Sequence, residues 1–292
     1  MKKISLFLLL ISVFTFAQES ALGQKINSII KDKNATVGIS VLGFEDGFTY
    51  KRNADKKLPM QSVFKFHIAA TILDYVDKVK LSLDQKVLLD KTNLLENTWS
   101  PLRDKYPNGG VEIPLGEVLE YTVAKSDNNG CDILLKLLGG TQTVQRFMDS
   151  KGIKGFQIKY NEAEMHKDWN IQYKNYSTAA SATDVLKKFY DRKLISKNST
   201  DYLMKIMFST STGKNKLIAQ LPENTPVARK TGASGKNNAG LTGAENEIGI
   251  VTLPNGKHYA IAVFVSNSTE TDVVNCKMIS DISKSVWDYF NK

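Results

Sequence analysis

The 292-residue chain has two cysteines and three histidines, and neither set is clustered. No C-x-x-C, H-E-x-x-H or paired-histidine spacing occurs, so the usual ligand patterns of a zinc site are missing, and no metal or other cofactor is expected. Cys131 and Cys276 each fall in an apolar helical pattern, which leaves two buried thiols and one disulfide both open. Beyond residue 17 no apolar run is long enough to span a bilayer. The formal net charge is +9, yet there is no block of Lys and Arg and no basic stretch interleaved with aromatics. That argues for a solvated basic surface rather than a nucleic-acid partner. Internal repeats and low-complexity tracts are absent too. What remains has the length for one large domain or two intimate ones, with ample core.

The N-terminus has the make-up of an export signal. Lys2 and Lys3 precede the apolar stretch Ile4 to Phe16, and Thr15-Phe16-Ala17 offers a cleavage site. Residues 1–17 are therefore expected to be removed, with the mature chain starting at Gln18. The apolar stretch is short for a retained anchor. The expected location is the periplasm or the medium, with no membrane association after cleavage.

Strand patterns lie at both ends and helix patterns between them. Residues 20–31 have a helical period. Ala35 to Leu42 and Phe48 to Arg52 flank the turn Glu45-Asp46-Gly47 and read as a hairpin. Pro226 to Thr231, Ala244 to Leu253 and His258 to Ser266 read as three more strands. A helix is expected over Asp281 to Phe290. The intervening stretch shows helical runs at Phe64–Val76, Leu115–Thr122, Asp132–Leu138, Thr141–Lys151, Thr183–Tyr190 and Thr200–Phe208. The pattern lapses between Gly155 and Thr178, a loop long enough to suggest function. The expected class is α+β. Residues 18–58 and 206–292 form an α/β sandwich lobe on a five-stranded antiparallel sheet with flanking helices. Residues 59–205 form an inserted all-α lobe, and a ligand cleft is expected where the two meet.

Four short motifs fall in that frame. Ser62-Val63-Phe64-Lys65 opens a helix and puts a hydroxyl and an ammonium on one face, one turn apart, where a lysine can activate a serine. Alone it reads first as a helix start with a solvated lysine. Ser126-Asp127-Asn128 lies in a polar break and reads alone as a helix cap. Lys230-Thr231-Gly232 ends a strand and reads alone as a charged terminus. Glu162-Ala163-Glu164-Met165-His166 lies in the long loop and reads alone as solvated charge.

Taken together, in this order and on this pattern of strands and helices, the motifs resemble the class A serine β-lactamases, a family marked by S-x-x-K, S-D-N and K-T-G. The resemblance covers essentially all of the mature chain. Gln61, Trp99 in Asn97-Thr98-Trp99-Ser100-Pro101, and the E-x-x-x-H ending at His166 are similar to the extended-spectrum PER and CME-type branch. Most of the family has asparagine where His166 stands.

The resemblance implies the following roles. Ser62 is the nucleophile and Lys65 a candidate base. Ser126 relays a proton to the leaving nitrogen. Glu162 is the deacylation base, with Glu164 its rival. Asn128 meets the substrate's side-chain amide and Asp127 supports its own turn. Lys230 and Thr231 hold the substrate carboxylate. The backbone N–H groups of Ser62 and Ala233 form the oxyanion hole. Lys216 stands where relatives carry a carboxylate-binding arginine, without an arginine's fork. Trp99 is expected at the entrance, Ser234 beside the substrate side chain, and His166 among the substrate-binding residues. The implied partners are small-molecule β-lactams, and a monomer is expected. A penicillin-binding peptidoglycan transpeptidase or carboxypeptidase would share Ser62, Lys65, Ser126, Asn128 and Lys230. It would lack a deacylating carboxylate, so Glu162 is the residue that separates the two readings.

Overall fold

The computed structural model describes residues 21–292; the expected export segment, 1–17, lies outside the described residues. Thr36–Gly43 (β1) and Thr49–Arg52 (β2) form the N-terminal hairpin. Val227–Ala233 (β3), Thr242–Thr252 (β4) and His258–Ser268 (β5) form an antiparallel meander near the other end. The two join through β1 and β5, whose register runs from Thr36 opposite Ser266 to Gly43 opposite Tyr259. The result is one five-stranded antiparallel sheet in the order β2-β1-β5-β4-β3.

β4 and β5 are buried along almost their whole length, which is why β5 reads as a continuous apolar run rather than alternating. On one face Ile39, Val41, Ile261 and Val263 pack with Leu22 and Ile26 of a helix at residues 21–30 (α1). Ile279, Ile282, Val286 and Trp287 of the last helix join them. On the other face Ile248, Ile250, Ala260, Ala262 and Phe264 merge with the helical lobe.

The helices are Phe64–Asp77 (α2), Leu115–Ala124 (α3), Asn128–Leu137 (α4), Thr141–Ser150 (α5), Ala179–Tyr190 (α6), Lys197–Phe208 (α7) and Asp272–Phe290 (α8). Every residue of α2 from Phe64 to Asp74 is buried, as expected of a helix that others surround. His67 lies fully buried in it and stacks on Phe156 with ring centroids 4.3 Å apart. Burial lowers its pKa to about 3, so the ring is neutral.

Several boundaries differ from the sequence expectation. α8 starts at Asp272, not Asp281, because the Thr271 hydroxyl accepts from the Val274 N–H and caps it. Asn275 and Lys277 interrupt the apolar stripe there and hide that first stretch. α4 starts at Asn128 rather than Asp132, capped by Asp127 through the Gly130 N–H at 2.7 Å. The stretch expected to be all-α is mostly helical but carries two small sheets. Lys86–Leu89 pairs with Val111–Pro114, and Tyr176–Ser177 pairs with both Leu58–Pro59 and Phe156–Gln157. Strands of two to four residues are too short for a period to register. α6, numbered within that stretch, packs on the sheet, where the Ser40 and Thr183 hydroxyls hydrogen-bond at 2.8 Å.

Cys131 in α4 and Cys276 in α8 are both free and buried. Burial raises both thiols, Cys276 to about 11 and Cys131 well above the ordinary range. Unfolded in denaturant without reductant, the protein should therefore titrate two thiols per chain with a chromogenic disulfide. Titration of none would mean that the two cysteines pair.

Candidate active site

The site begins where the chain turns into α2. Gln61–Val63 forms a single 3-10 turn that runs directly into the helix. Gln61 takes a left-handed φ of 48°, and so does Ser126 across the cleft, at 59°. Strained backbone at two non-glycine residues next to Ser62 and Asp127 is typical of a site held by its surroundings. The Lys65 Nζ, which is fully buried, lies 2.9 Å from the Ser62 Oγ and 2.8 Å from the Ser126 carbonyl oxygen. It also donates to the Asn128 Oδ1 and lies 2.9 Å from the Glu162 Oε1. A lysine one turn from a serine has thus become the meeting point of three separate segments.

The second segment is the corner between α3 and α4. The Asp127 carboxylate accepts the Ser100 hydroxyl, the Leu102 N–H at 2.6 Å and the Gly130 N–H at 2.7 Å. Burial raises its pKa, and these donors satisfy both of its oxygens. Asp127 therefore holds the turn that aims Ser126 and Asn128. The Asn128 amide also donates to the Thr98 hydroxyl at 2.6 Å. Trp99, on the same loop, donates its indole N–H to the Lys125 carbonyl and is 59% exposed, so it is a wall and not a core residue.

The third segment is the stretch between residues 155 and 178, which is ordered by hydrogen bonds rather than by an apolar period. Asn175, fully buried, accepts the N–H groups of Lys159 and Tyr160 and donates to the Tyr160 carbonyl. Glu162–Met165 is a one-turn helix with a capping box. The Asn161 side chain accepts the Glu164 N–H, and the Glu164 carboxylate accepts the Asn161 N–H. The two glutamates are therefore distinguished by geometry: Glu164 caps its own helix, while Glu162 faces Lys65. Asp132 in α4 supports Glu162 from below, its two oxygens accepting the Glu162 and Ala163 N–H groups at 2.8 and 2.9 Å. Burial, aided by the Glu162 charge, raises Asp132 to about 6. The His166 Nδ1 lies 2.8 Å from the Glu162 carbonyl oxygen. A carbonyl only accepts, so this nitrogen carries the hydrogen. The Nε2 is left facing the Thr98 hydroxyl at 3.5 Å.

The far wall is β3. The Lys230 Nζ donates to the Ser126 Oγ and the Thr231 carbonyl oxygen, both at 2.9 Å. Burial, then the Lys65 and Lys216 charges, push its pKa well below the usual ammonium range. Gly232 lies against the turn that carries Ser62. A Cβ there would sit 2.4 Å from the Met60 carbonyl oxygen and 3.2 Å from the Ser62 N. Asn246, opposite it on β4, donates to the Pro59 and Met60 carbonyls and ties the sheet to the start of α2. Gln61, Ser62, Trp99, Asn128, Glu162, His166, Gln172, Ala233 and Ser234 are among the residues that line one cleft of about 480 Å³. Ser234 continues the β3 edge, its hydroxyl accepting the Ala244 N–H. Among the described residues no group of three His, Cys, Asp or Glu side chains is placed to hold a metal ion.

Lys216 is buried, ion-paired with Glu245 and donating to the Asn246 carbonyl, and its charge is among those that depress Lys230. Other residues with a part in the site had no signal of their own. Asp132 and Asn175 act through single hydrogen-bond sets, and Gln172, which accepts from the Gln61 amide at 2.8 Å, lies far from it in the chain.

The sequence profile of the beta-lactamase enzyme family matches residues 21–290. Over 95% of its length the chain is 46% identical to the beta-lactamase VEB-1 of Pseudomonas aeruginosa, covering 93% of that protein. It is 39% identical to the extended-spectrum beta-lactamase PER-1 of the same organism, over 97% of the chain and 92% of that protein. The fold is similar to that of the TLA-3 extended-spectrum beta-lactamase, with a TM-score of 0.92 and 50% identity over 94% of this chain and 99% of that one.

The contact at Gly232 makes a direct prediction. Gly232→Ala should push β3 away from the Ser62 turn, slowing acylation at Ser62 by about 10²–10³ with the circular dichroism spectrum unchanged. Acylation at the rate of the unaltered protein would show that the two backbones need not approach so closely.

Proposed function

The chain belongs to the β-lactamase enzyme family as a class A hydrolase, and from that premise we propose how its residues divide the work of opening a β-lactam amide and hydrolysing the resulting ester. The observation that carries the proposal is the Lys65 ammonium, 2.9 Å from both the Ser62 Oγ and the Glu162 Oε1.

Ser62 attacks the lactam carbonyl and must lose its proton as it does so. An ammonium has no room for that proton until it gives up one of its own. Lys65 therefore passes a proton to Glu162 and takes the one from Ser62. A water between Ser62 and Glu162 gives the same balance, and on either route the proton ends on Glu162. The oxyanion forms between the N–H groups of Ser62 and Ala233, which the tight approach at Gly232 brings to the same side of the cleft. Ser126 accepts a hydrogen bond from Lys230, which leaves its own proton directed away, toward the leaving nitrogen. As that nitrogen is protonated, Lys230 replaces the proton. Glu162 gives its proton back through Lys65 and solvent to the Lys230 amine and is again a carboxylate; it then takes a proton from the water that attacks the ester, and that proton passes through Lys65 to the Ser62 Oγ as the ester bond breaks.

Asn128, Trp99, His166 and Ser234 border the acylamino side of the substrate, while Lys230 and Thr231 meet its carboxylate. The substrates proposed are penicillins and cephalosporins, including extended-spectrum ones. The printed descriptions of PER-1 and TLA-3 support the latter. The proposal includes export to the periplasm by residues 1–17 and action as a monomer, and implies resistance to the antibiotics hydrolysed. A peptidoglycan peptidase lacks support, because a carboxylate stands beside the nucleophile's lysine.

The purified mature protein should turn over nitrocefin many times per chain; one stoichiometric burst followed by a stable adduct would favour the peptidase instead. A second expectation concerns pH. Asp132 has its pKa raised to about 6, so the charged carboxylate that accepts from both Glu162 and Ala163 exists above that pH and is lost below it. Where ester hydrolysis limits kcat, kcat should fall as pH descends through about 6. Asp132→Asn cannot titrate and keeps one acceptor oxygen. It should lower the plateau by about tenfold and remove this limb. A limb unchanged in Asp132→Asn would assign it to another group.

A further inference from the structure

The segment between α7 and β3 is fixed more firmly than a connector requires. Arg229 is buried beside Lys230 but lies on the opposite face of β3. Its Nη1 donates to the Thr212 carbonyl at 2.6 Å and pairs with the Glu247 Oε1 at 2.5 Å; its Nη2 donates to the Thr210 carbonyl at 2.9 Å. The Thr210 hydroxyl donates back to the Arg229 carbonyl at 2.7 Å, and the other oxygen of Glu247 accepts the Leu217 N–H at 2.8 Å. The guanidinium's planar fork thus meets three carbonyls, the third that of Gly213 at 3.4 Å, and a carboxylate, an arrangement that a lysine does not reproduce.

This clamp delivers one polar contact to the cleft wall. The Thr212 and Thr231 hydroxyls lie 2.7 Å apart. Thr231 cannot rotate freely to make other contacts, since its methyl group packs against Gly213. A Cβ on that glycine would come within 2.5 Å of it, and the glycine's φ of +66° suits no larger residue. The Thr231 carbonyl is already taken by Lys230. Each hydroxyl has one hydrogen to give. If Thr212 gives its hydrogen to Thr231, then Thr231 is free to give its own to a group in the cleft. The cation expected to assist at this end, Lys216, is neutralised by Glu245.

We propose that Thr212 is a specificity-determining positioning residue. Held by the Arg229–Glu247 clamp, it orients the Thr231 hydroxyl so that Thr231 and Lys230 together recognise the substrate's carboxylate without a second free cation. The inference rests on the reading of the cleft as a β-lactam site.

The test compares a cephalosporin bearing its free carboxylate with the methyl ester of the same compound, on the unaltered enzyme, Thr212→Val and Thr212→Ser. Thr212→Val keeps the shape and removes the hydroxyl. The ratio of acid to ester kcat/KM should fall about five- to tenfold, with the change chiefly in KM. Thr212→Ser should restore it. Equal losses on acid and ester, or an unchanged ratio, would overturn the role of Thr212 while leaving the hydrolase reading intact. Failure of the unaltered enzyme to hydrolyse the acid would overturn that reading as well.

Discussion

A single buried ammonium holds this site together. The Lys65 Nζ lies among the Ser62 Oγ, the Ser126 carbonyl, the Asn128 amide oxygen and the Glu162 carboxylate. These four oxygens come from the start of α2, from the break between α3 and α4, and from the one-turn helix at 162–165. Val63, Phe64, Cys131 and Met165 from the same segments share one apolar core. Burying a cation is costly unless it is paired and hydrogen-bonded, so each segment must arrive at its place for the others to be stable. Removing either member of the Lys65–Glu162 pair would strand the other charge in a buried place, at a typical cost of about 3–5 kcal/mol. The same ammonium links the Ser62 hydroxyl to the Glu162 carboxylate.

The rest of the molecule sets the coordinates of that ammonium. The sheet packs one face on α1 and α8 and the other on the helical lobe, so β3 is rigid where it borders the cleft. Asn246 fixes the sheet to the Pro59 and Met60 carbonyls, and Gly232 lets two backbones approach as no other residue would. Asp127 and Asp132 each use a buried carboxylate to collect backbone N–H groups, one below Ser126 and Asn128 and one below Glu162. Two carboxylates therefore position the two polar segments that lack an apolar stripe of their own.

The five strands were legible because β5 is a long apolar run and β4 ends in one at Ile248–Val251, and because hairpin-length links left few ways to pair them. α2 was legible from its apolar run. The boundaries that moved did so through caps. Thr271 begins α8 within a polar stretch, and Asp127 begins α4 within a motif that also carries chemistry. Ser62, Lys65, Ser126, Lys230 and Glu162 were visible as motifs, and the fold brings them together. That Lys216 pairs with Glu245 was not legible, because sequence position does not show which carboxylate a lysine will meet. Asp132, Asn175 and Gln172 carried no signal, since each works through a contact with a loop that has no period.

The central claim is that Glu162, through Lys65, separates hydrolysis from permanent acylation. Mass spectrometry of Glu162→Gln and Glu164→Gln after exposure to a cephalosporin tests it most directly. Glu162→Gln should accumulate an ester on Ser62 that persists for many turnover times of the unaltered enzyme, while Glu164→Gln should clear it. Rapid clearance by Glu162→Gln, with a persistent ester in Glu164→Gln, would contradict the account.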